Sequence, residues 1–244
     1  MQLRVMFDGT ADATWNMAVD EALLATGDEA TLRFYGWSPH AVSLGWFQSY
    51  GDFADLPPEL AVVRRLTGGG AIHHGDEITF AVTCDAAVLP GDIAASYRLL
   101  HDAVVAVLQA HGVPCARLDH GAHLAARPGQ RWCFAVPGRD DVVTDRGKLL
   151  GSAQRRTNAP RPRILHHGSI VVHRPALTPF TAALADTIAD DPVAMQHLRS
   201  ALAARIANAL DLIPVPGVLS PAERALATKL QMSRYRDPAF LRRR

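Results

Sequence analysis

The sequence predicts one α+β domain with helices packed on mixed or antiparallel sheets, and three observations carry that expectation. Short segments rich in aromatic and β-branched residues are punctuated by glycine and proline. Two long stretches carry a helical period, and no repeat, low-complexity tract or linker interrupts the order. A chain of 244 residues with 48% hydrophobic side chains can bury one large core. The expected unit spans 1–244, with a core over about 10–180, a helical part over about 181–232 and a basic tail over 233–244.

In chain order, Met17, Val19, Leu23 and Leu24 make an amphipathic helix of Trp15 to Ala25, with Asp12 as its cap. Residues 31–36 and 41–46 read as strands joined by Ser38-Pro39-His40 into a hairpin. Residues 60–66, the triplet Gly68-Gly69-Gly70 and residues 77–84 read as strand, tight loop and strand, because three glycines sit stably in neither helix nor ladder. From Asp92 to His111 a helical stripe places Ile93, Tyr97, Leu100, Val104 and Leu108 on one face, with Gly112 as the stop. Residues 118–131 show no period and read as a surface loop. Strands at 140–144, 148–155 and 164–172 are expected to close a second sheet. Helix returns after Pro175, with Leu198, Leu202, Ile206 and Leu210 on one stripe. A last helix starts at Ser220-Pro221-Ala222-Glu223, a capping box with proline at the first helical position.

Composition narrows function. A net charge of +1 and the lack of any long apolar run point away from bulk nucleic-acid binding and from the membrane. The start MQLRVMFDGT has no basic flank followed by an apolar stretch, so a cytoplasmic protein is expected. Cys84, Cys115 and Cys133 form no CxxC pair, which argues against a disulfide framework and a structural zinc site. Of 25 basic residues only Lys148 and Lys229 are lysines.

Three segments carry candidate chemistry. Arg64-Arg65-Leu66-Thr67-Gly68-Gly69-Gly70 leads into His73-His74, and consecutive glycines let backbone approach a bound group closely. The pattern is not a Walker loop, since GxxxxGK[ST] is absent and a strand follows; taken alone, it fits a plain hairpin turn. Gly147-Lys148-Leu149-Leu150-Gly151-Ser152-Ala153-Gln154, with His167-Gly168-Ser169 beyond, describes a surface that something approaches closely. Taken alone, Lys148 fits a solvated strand lysine and His167 a hydrogen-bonded core histidine, although a chain that avoids lysine weakens the first. Cys133, between Trp132 and Phe134, is on bare composition a small buried hydrophobe.

Together these segments, with Trp15-Asn16-Met17-Ala18-Val19-Asp20-Glu21, Leu32-Arg33-Phe34-Tyr35 and Ser43-Leu44-Gly45, resemble the biotin/lipoate protein ligase superfamily of lipoate ligases and octanoyltransferases. His74-x-x-Glu77-Ile78-Thr79-Phe80, Cys133-Phe134, the spacing to Lys148 and Gly151-Ser152-Ala153-Gln154 are similar to its cysteine-dependent octanoyltransferase branch. The resemblance implies the catalytic-domain fold of that superfamily and a two-step transfer. Cys133 would take an octanoyl group from an acyl-carrier-protein thioester and pass it to a lysine of a lipoyl domain, in a glycine cleavage H protein or a 2-oxoacid dehydrogenase E2. Lys148 would favour the thiolate and the oxyanion, while Arg65, Gly68, Gly69, Gly70, His74, Gly151, Ser152, Ala153, His167 and Gly168 would bind substrate. No metal or nucleotide is implied. Two other readings stay open: an ATP-dependent lipoate ligase, in which the glycine loop and Lys148 hold an acyl-adenylate, and a non-catalytic protein that binds lipoyl domains or acyl carriers. The Arg-rich end, Arg234, Arg236 and Arg242-Arg243-Arg244, reads as a frayed, solvated tail, or else as a surface that steers an acidic partner.

Overall fold

The computed structural model describes residues 1–120 and 131–244. Strands β1 (Gln2–Ala11), β2 (Ala30–Trp37), β6 (Glu77–Asp85), β7 (Ala116–Arg117), β8 (Val142–Thr144), β9 (Gly147–Thr157), β10 (Arg163–Val171) and β11 (Ile213–Pro216) form one sheet in the order β11-β1-β2-β6-β10-β9-β8-β7. Strands β3 (Ala41–Leu44), β4 (Ala61–Arg64) and β5 (Ile72–His74) form a small sheet in the order β4-β3-β5. The pairs β11–β1 and β1–β2 are parallel, as is β3–β4, and the remaining pairs are antiparallel. Among the described residues five α-helices complete the order: α1 (Ala13–Thr26), α2 (Ile93–Ala110), α3 (Pro192–Ala209), α4 (Pro221–Leu230) and α5 (Pro238–Leu241). This is the α+β architecture that the pattern of the sequence predicts.

Local chemistry explains where the helices begin. Asp12 accepts from the Trp15 N–H at 3.0 Å, Asp92 from the Ala95 N–H at 2.7 Å and Asp191 from the Ala194 N–H at 2.8 Å. At α4 the expected capping box is complete, with Ser220 and Glu223 bonded reciprocally. The sheet has an apolar face on each side. Leu32, Phe34, Ile78, Phe80, Val82 and Ile164 pack under Leu100, Val104 and Leu108 of α2 and Leu198, Leu202 and Ile206 of α3. Tyr35, Ala81 and Leu165 face the other way, toward Met17 and Leu23 of α1, with Ala227 of α4 in the same cluster.

Several expectations are corrected. Residues 31–36 and 41–46 do not form a hairpin: β2 lies between β1 and β6, so both its edges are taken, and Ser38-Pro39 carries the chain across to the small sheet. The segments at 140–144, 148–155 and 164–172 extend the main sheet instead of closing a second one. β10, buried along its whole length, is an interior strand between β6 and β9. The main sheet also takes β1 and β11 from outside the core expected at about 10–180. Ile93 is exposed in the first turn of α2, leaving Leu100, Val104 and Leu108 to carry the stripe. Most of the loop expected at 118–131 lies outside the described residues, while the Leu118 N–H bonds the Asp141 carbonyl at 2.9 Å.

The arginine-rich end is docked, not frayed. Arg64 donates to the Leu241 carbonyl at 3.0 and 2.7 Å, the Tyr50 N–H donates to the Arg244 carbonyl at 2.9 Å, and the Arg243 guanidinium lies 3.8 Å from the centre of the Trp46 ring. Among the described residues no helix is long and apolar enough to cross a membrane.

Candidate active site

Register decides which side chains meet. His167 of β10 stands opposite Ala81 of β6 and Ala153 of β9, and Ser169 stands opposite Thr79 and Gly151. Arg33 and Tyr35 of β2 pair with Ala81 and Thr79, so all these residues share the face toward α1. Lys148 would point away from Gly151 on a regular strand. Instead Val142 pairs with Leu150 and Val143 with Lys148, leaving Leu149 as an extra residue; this bulge brings Lys148 onto the face of Gly151 and Ala153.

Cys133 reaches that face from the loop before β8, held by the segment after the glycine triplet. The Cys133 N–H donates to the Ala71 carbonyl, and the Ala71 N–H to the Arg131 carbonyl, each at 2.8 Å. Gly70 has to lack a side chain here, because a Cβ would sit 2.8 Å from the Cys133 nitrogen. Arg65 fixes the triplet from beneath, donating to the Gly68 and Gly70 carbonyls at 2.7 Å each and to the Ser43 carbonyl at 3.0 Å. Burial lowers this guanidinium to about 10, against the pull of Cys133, and leaves it cationic at neutral pH.

Lys148 Nζ lies 3.4 Å from Cys133 Sγ, 3.2 Å from the Cys133 carbonyl oxygen and 2.8 Å from Asp141 Oδ2. Burial alone would lower this ammonium; Cys133 and Asp141 outweigh it and hold the pKa above the ordinary lysine value. A solvated strand lysine is therefore excluded, since only 4% of Lys148 is exposed. His101 of α2 supports Asp141 indirectly, donating from Nδ1 to the carbonyl of the preceding Asp140 while Ser152 bonds its Nε2 at 2.6 Å.

Two histidine relays flank the thiol. His74 donates from Nδ1 to Glu77 at 2.9 Å, accepts from Ser43 at 2.7 Å through Nε2, and stacks on Trp37 with ring centres 3.7 Å apart. Burial lowers its pKa against the pull of Glu77, so the ring is neutral. His167 bonds Asp20 through Nδ1 at 3.2 Å and Thr67 through Nε2 at 2.7 Å. Asp20 in turn accepts from Arg33 at 3.0 Å and from the Tyr35 hydroxyl at 2.9 Å. Both rings hold fixed orientations rather than free lone pairs.

In front of the thiol lies a narrow pocket, whose roughly 410 Å³ of atom-free space includes its mouth to solvent. Cys133, Arg65, Gly69, His74, Gly151, Ser152, Ala153, His167 and Gly168 line it, with Lys148 behind Cys133 and Gly151. Gly68 and Gly70 do not: the first faces Phe47 and the second packs on the Cys133 backbone. Sequence reasoning did not assign Tyr35, Trp37 or Ile72, which form apolar wall, nor Asp141 and His101 behind Lys148. Tyr35 belongs to a segment that carries the family resemblance but no assigned role, Trp37 follows the strand expected at 31–36, and Asp141 has no signal beyond its closeness in sequence to Lys148. Cys84 and Cys115 lie in the cluster on the opposite face of the sheet, where burial pushes their thiols up to about 12 and about 11.

The lipoyl protein ligase A/B catalytic domain matches residues 12–217. The chain belongs to this family. Among curated lipoyl ligase A/B relatives, the octanoyltransferase LipM of Kyrpidia tusciae is 34% identical over 266 residues and that of Symbiobacterium thermophilum 33% identical over 270, each comparison covering 95% of both chains. A lipoate-protein ligase A solved with ATP superposes with a TM-score of 0.80 at 21% identity over 99% of both chains. A bipartite lipoate protein ligase of Thermoplasma acidophilum gives 0.76 at 21% identity, covering 99% of this chain and 96% of that one. These structural likenesses establish the lipoyl ligase fold.

Gly151 is the point where the fold and the cysteine–lysine pair are most tightly coupled. A Cβ there would lie 2.4 Å from Lys148 Cε and 2.6 Å from Nζ, so Gly151→Ala should push the ammonium off the thiol while β9 stays paired. We expect acyl transfer to slow by about ten- to a hundredfold, the scale of one weakened charge-assisted contact, with little change in melting temperature. Single-turnover rates beside a thermal melt check this; an unchanged rate would show that Lys148 can shift without consequence.

Proposed function

We propose that the chain is an octanoyltransferase of protein lipoylation, which moves an octanoyl group from a carrier-protein thioester through a Cys133 thioacyl intermediate onto a lipoyl-domain lysine. The observation that carries this reading is the Lys148 ammonium 3.4 Å from the Cys133 sulfur at a cavity lined by apolar rings and glycine backbone. The relatives that cover nearly its whole length and bear the name octanoyltransferase support it.

In the first step the Cys133 thiolate attacks the thioester carbonyl, the new C–S bond forms, and the carrier thiolate departs and takes up a proton. Lys148 offers a fixed positive charge to the carbonyl oxygen as it becomes an oxyanion, a type of contact worth about 3–4 kcal/mol. Asp141 keeps that ammonium charged and aimed. In the second step the acceptor amine attacks the thioacyl carbon, the amide forms, and the proton released from nitrogen ends on the departing Cys133 sulfur. The acyl chain is expected among Trp37, Tyr35, Ile72 and Met17. No metal or nucleotide takes part in these steps. An acyl-adenylate ligase would use the glycine loop and Lys148 but has no chemical use for a thiol at 3.4 Å from that lysine.

Intact mass measurement separates the two. After mixing with octanoyl carrier protein the enzyme should gain one octanoyl mass, and thiol alkylation should abolish the gain. An enzyme that stays unmodified, yet lipoylates a lipoyl domain from lipoate and ATP, would select the ligase.

A further inference from the structure

A second concavity opens further along β9. Its atom-free space is about 1,020 Å³, and its walls carry the guanidiniums of Arg155, Arg161, Arg163, Arg234 and Arg243 around Trp46. Such a concentration of one sign is costly unless carboxylates offset it, and here they do so only in part. Arg234 pairs with Glu21 and Arg161 with Asp28, but Arg155, Arg163 and Arg243 have no carboxylate within 4.0 Å among the described residues. The residues outside the description, 121–130, contain no Asp or Glu.

The uncompensated cations are held, not floppy. Trp46 carries the Arg243 guanidinium 3.8 Å and the Arg155 guanidinium 5.2 Å from its ring centre, and Arg155 also donates to the Leu66 carbonyl at 3.3 Å. Arg163 is only 2% exposed, and its Nε is buried with no hydrogen-bond partner among the described residues. Its guanidinium donates to the Leu23 carbonyl at 3.4 Å, so Arg163 contributes a fixed buried charge beneath the cleft rather than an open donor. The arrangement suits an anion with several acceptor oxygens, and Trp46, already engaged by two guanidiniums, offers no free stacking platform to a nucleobase.

The cleft is also placed to serve the thiol. Arg155 shares its face of β9 with Gly151 and Ala153, and a Cβ on Gly151 would be 3.6 Å from Cys133 Sγ. Four residues of strand separate Gly151 from Arg155, about 13 Å at roughly 3.3 Å per residue. Ala153 and Arg155 are partly exposed among the described residues, so a ligand can reach this stretch of the face. A pantetheine arm separates its thiol from its phosphate by two amide units and a short alcohol. That length equals about four residue-lengths of extended chain, or roughly 15 Å.

We infer that the arginine-lined cleft binds the phosphate of the donor's pantetheine arm, holding its thioester carbon at Cys133. The inference rests on the thioester-donor reading above and adds to it a recognition site for the arm itself. Arg155 and Arg243 bracket the phosphate from Trp46, and the buried charge of Arg163 adds attraction from beneath.

The test compares octanoyl-phosphopantetheine with octanoyl-pantetheine, which lacks the phosphate, as donors to the full chain, reading acylation of Cys133 by mass. The wild-type protein should prefer the phosphorylated donor in kcat/KM by about ten- to a hundredfold, the scale of one or two hydrogen bonds to a charged group. Arg155→Gln and Arg243→Gln should each shrink that ratio by about tenfold. Calorimetric titration with acyl-free phosphopantetheine and pantetheine gives a readout independent of turnover. If neither donor acylates Cys133 but phosphopantetheine still binds tighter in an Arg155-dependent way, the cleft stands and the thioacyl reading fails. Equal binding of the two arms, or an unchanged ratio in Arg155→Gln, overturns the cleft. A variant slowed only with intact carrier protein also overturns it, because the arginines would then be reading an acidic protein surface.

Discussion

Cys133→Ala should leave the protein folded and bring acyl transfer to background. Cys133 is partly exposed, its backbone contacts run through N–H and carbonyl groups that alanine keeps, and only the sulfur is lost. The expected change in stability is within about 1 kcal/mol. The expected change in rate is much larger, because removing the nucleophile from an acyl-transfer site costs on the order of 10⁶ in kcat. Cys84→Ala and Cys115→Ala should do the opposite: a small loss of stability from a core cavity, with transfer retained. Both lie on the far face of the sheet, where burial holds their thiols protonated at neutral pH. Melting curves and transfer assays on the three variants check the pattern, and near-wild-type transfer by Cys133→Ala would sink the thioacyl mechanism.

The sequence carried the site further than it carried the sheet. Taken alone Cys133 reads as a buried hydrophobe and Lys148 as a solvated lysine; the resemblance of the segments around them singles them out, and the structure brings them within 3.4 Å. Strand order is a non-local property, and the same β propensity in 41–46 serves a hairpin or a second sheet equally well. Which one forms depends on the edges of β2, both already taken by β1 and β6. β1 went unread because QLRVMFDGTA, with its charged and small residues, has no clean alternation, and half of the strand is indeed exposed. The bulge at Leu149 illustrates the limit most sharply. A regular period of two puts Lys148 on the face opposite Gly151, and only pairing with β8 reveals the extra residue that brings them together. The tail failed for a related reason: whether three arginines fray or dock depends on Trp46, Phe47 and Tyr50, which lie far away in the chain.

Lys148→Arg should retain stability and lose most of the rate, and this split is what distinguishes a reacting group from a structural cation. Asp141 is largely buried against Lys148 at 2.8 Å, so removing the positive charge would strand a carboxylate, at a cost of about 3–5 kcal/mol for a fully buried pair and less here because Asp141 keeps some exposure. Arginine keeps that charge. Its variant should therefore melt close to the wild type, whereas Lys148→Ala should melt lower. Rate follows a different constraint. The ammonium sits among the Cys133 carbonyl at 3.2 Å, the Cys133 sulfur at 3.4 Å and the Phe134 ring at 5.1 Å, in space that exists only because Gly151 has no side chain. A guanidinium is planar and wider and spreads its charge over three nitrogens, so it cannot occupy that space without displacing its donors from the carbonyl oxygen. Losing an oxyanion contact costs about 10²–10³ in kcat, and both Lys148→Arg and Lys148→Ala should fall by that amount. Single-turnover acylation of Cys133, with melting curves on the same preparations, reads the two effects separately. An arginine variant that acylates within about threefold of wild type would leave under 1 kcal/mol for the compact ammonium, and would reduce Lys148 to a counterion for Asp141.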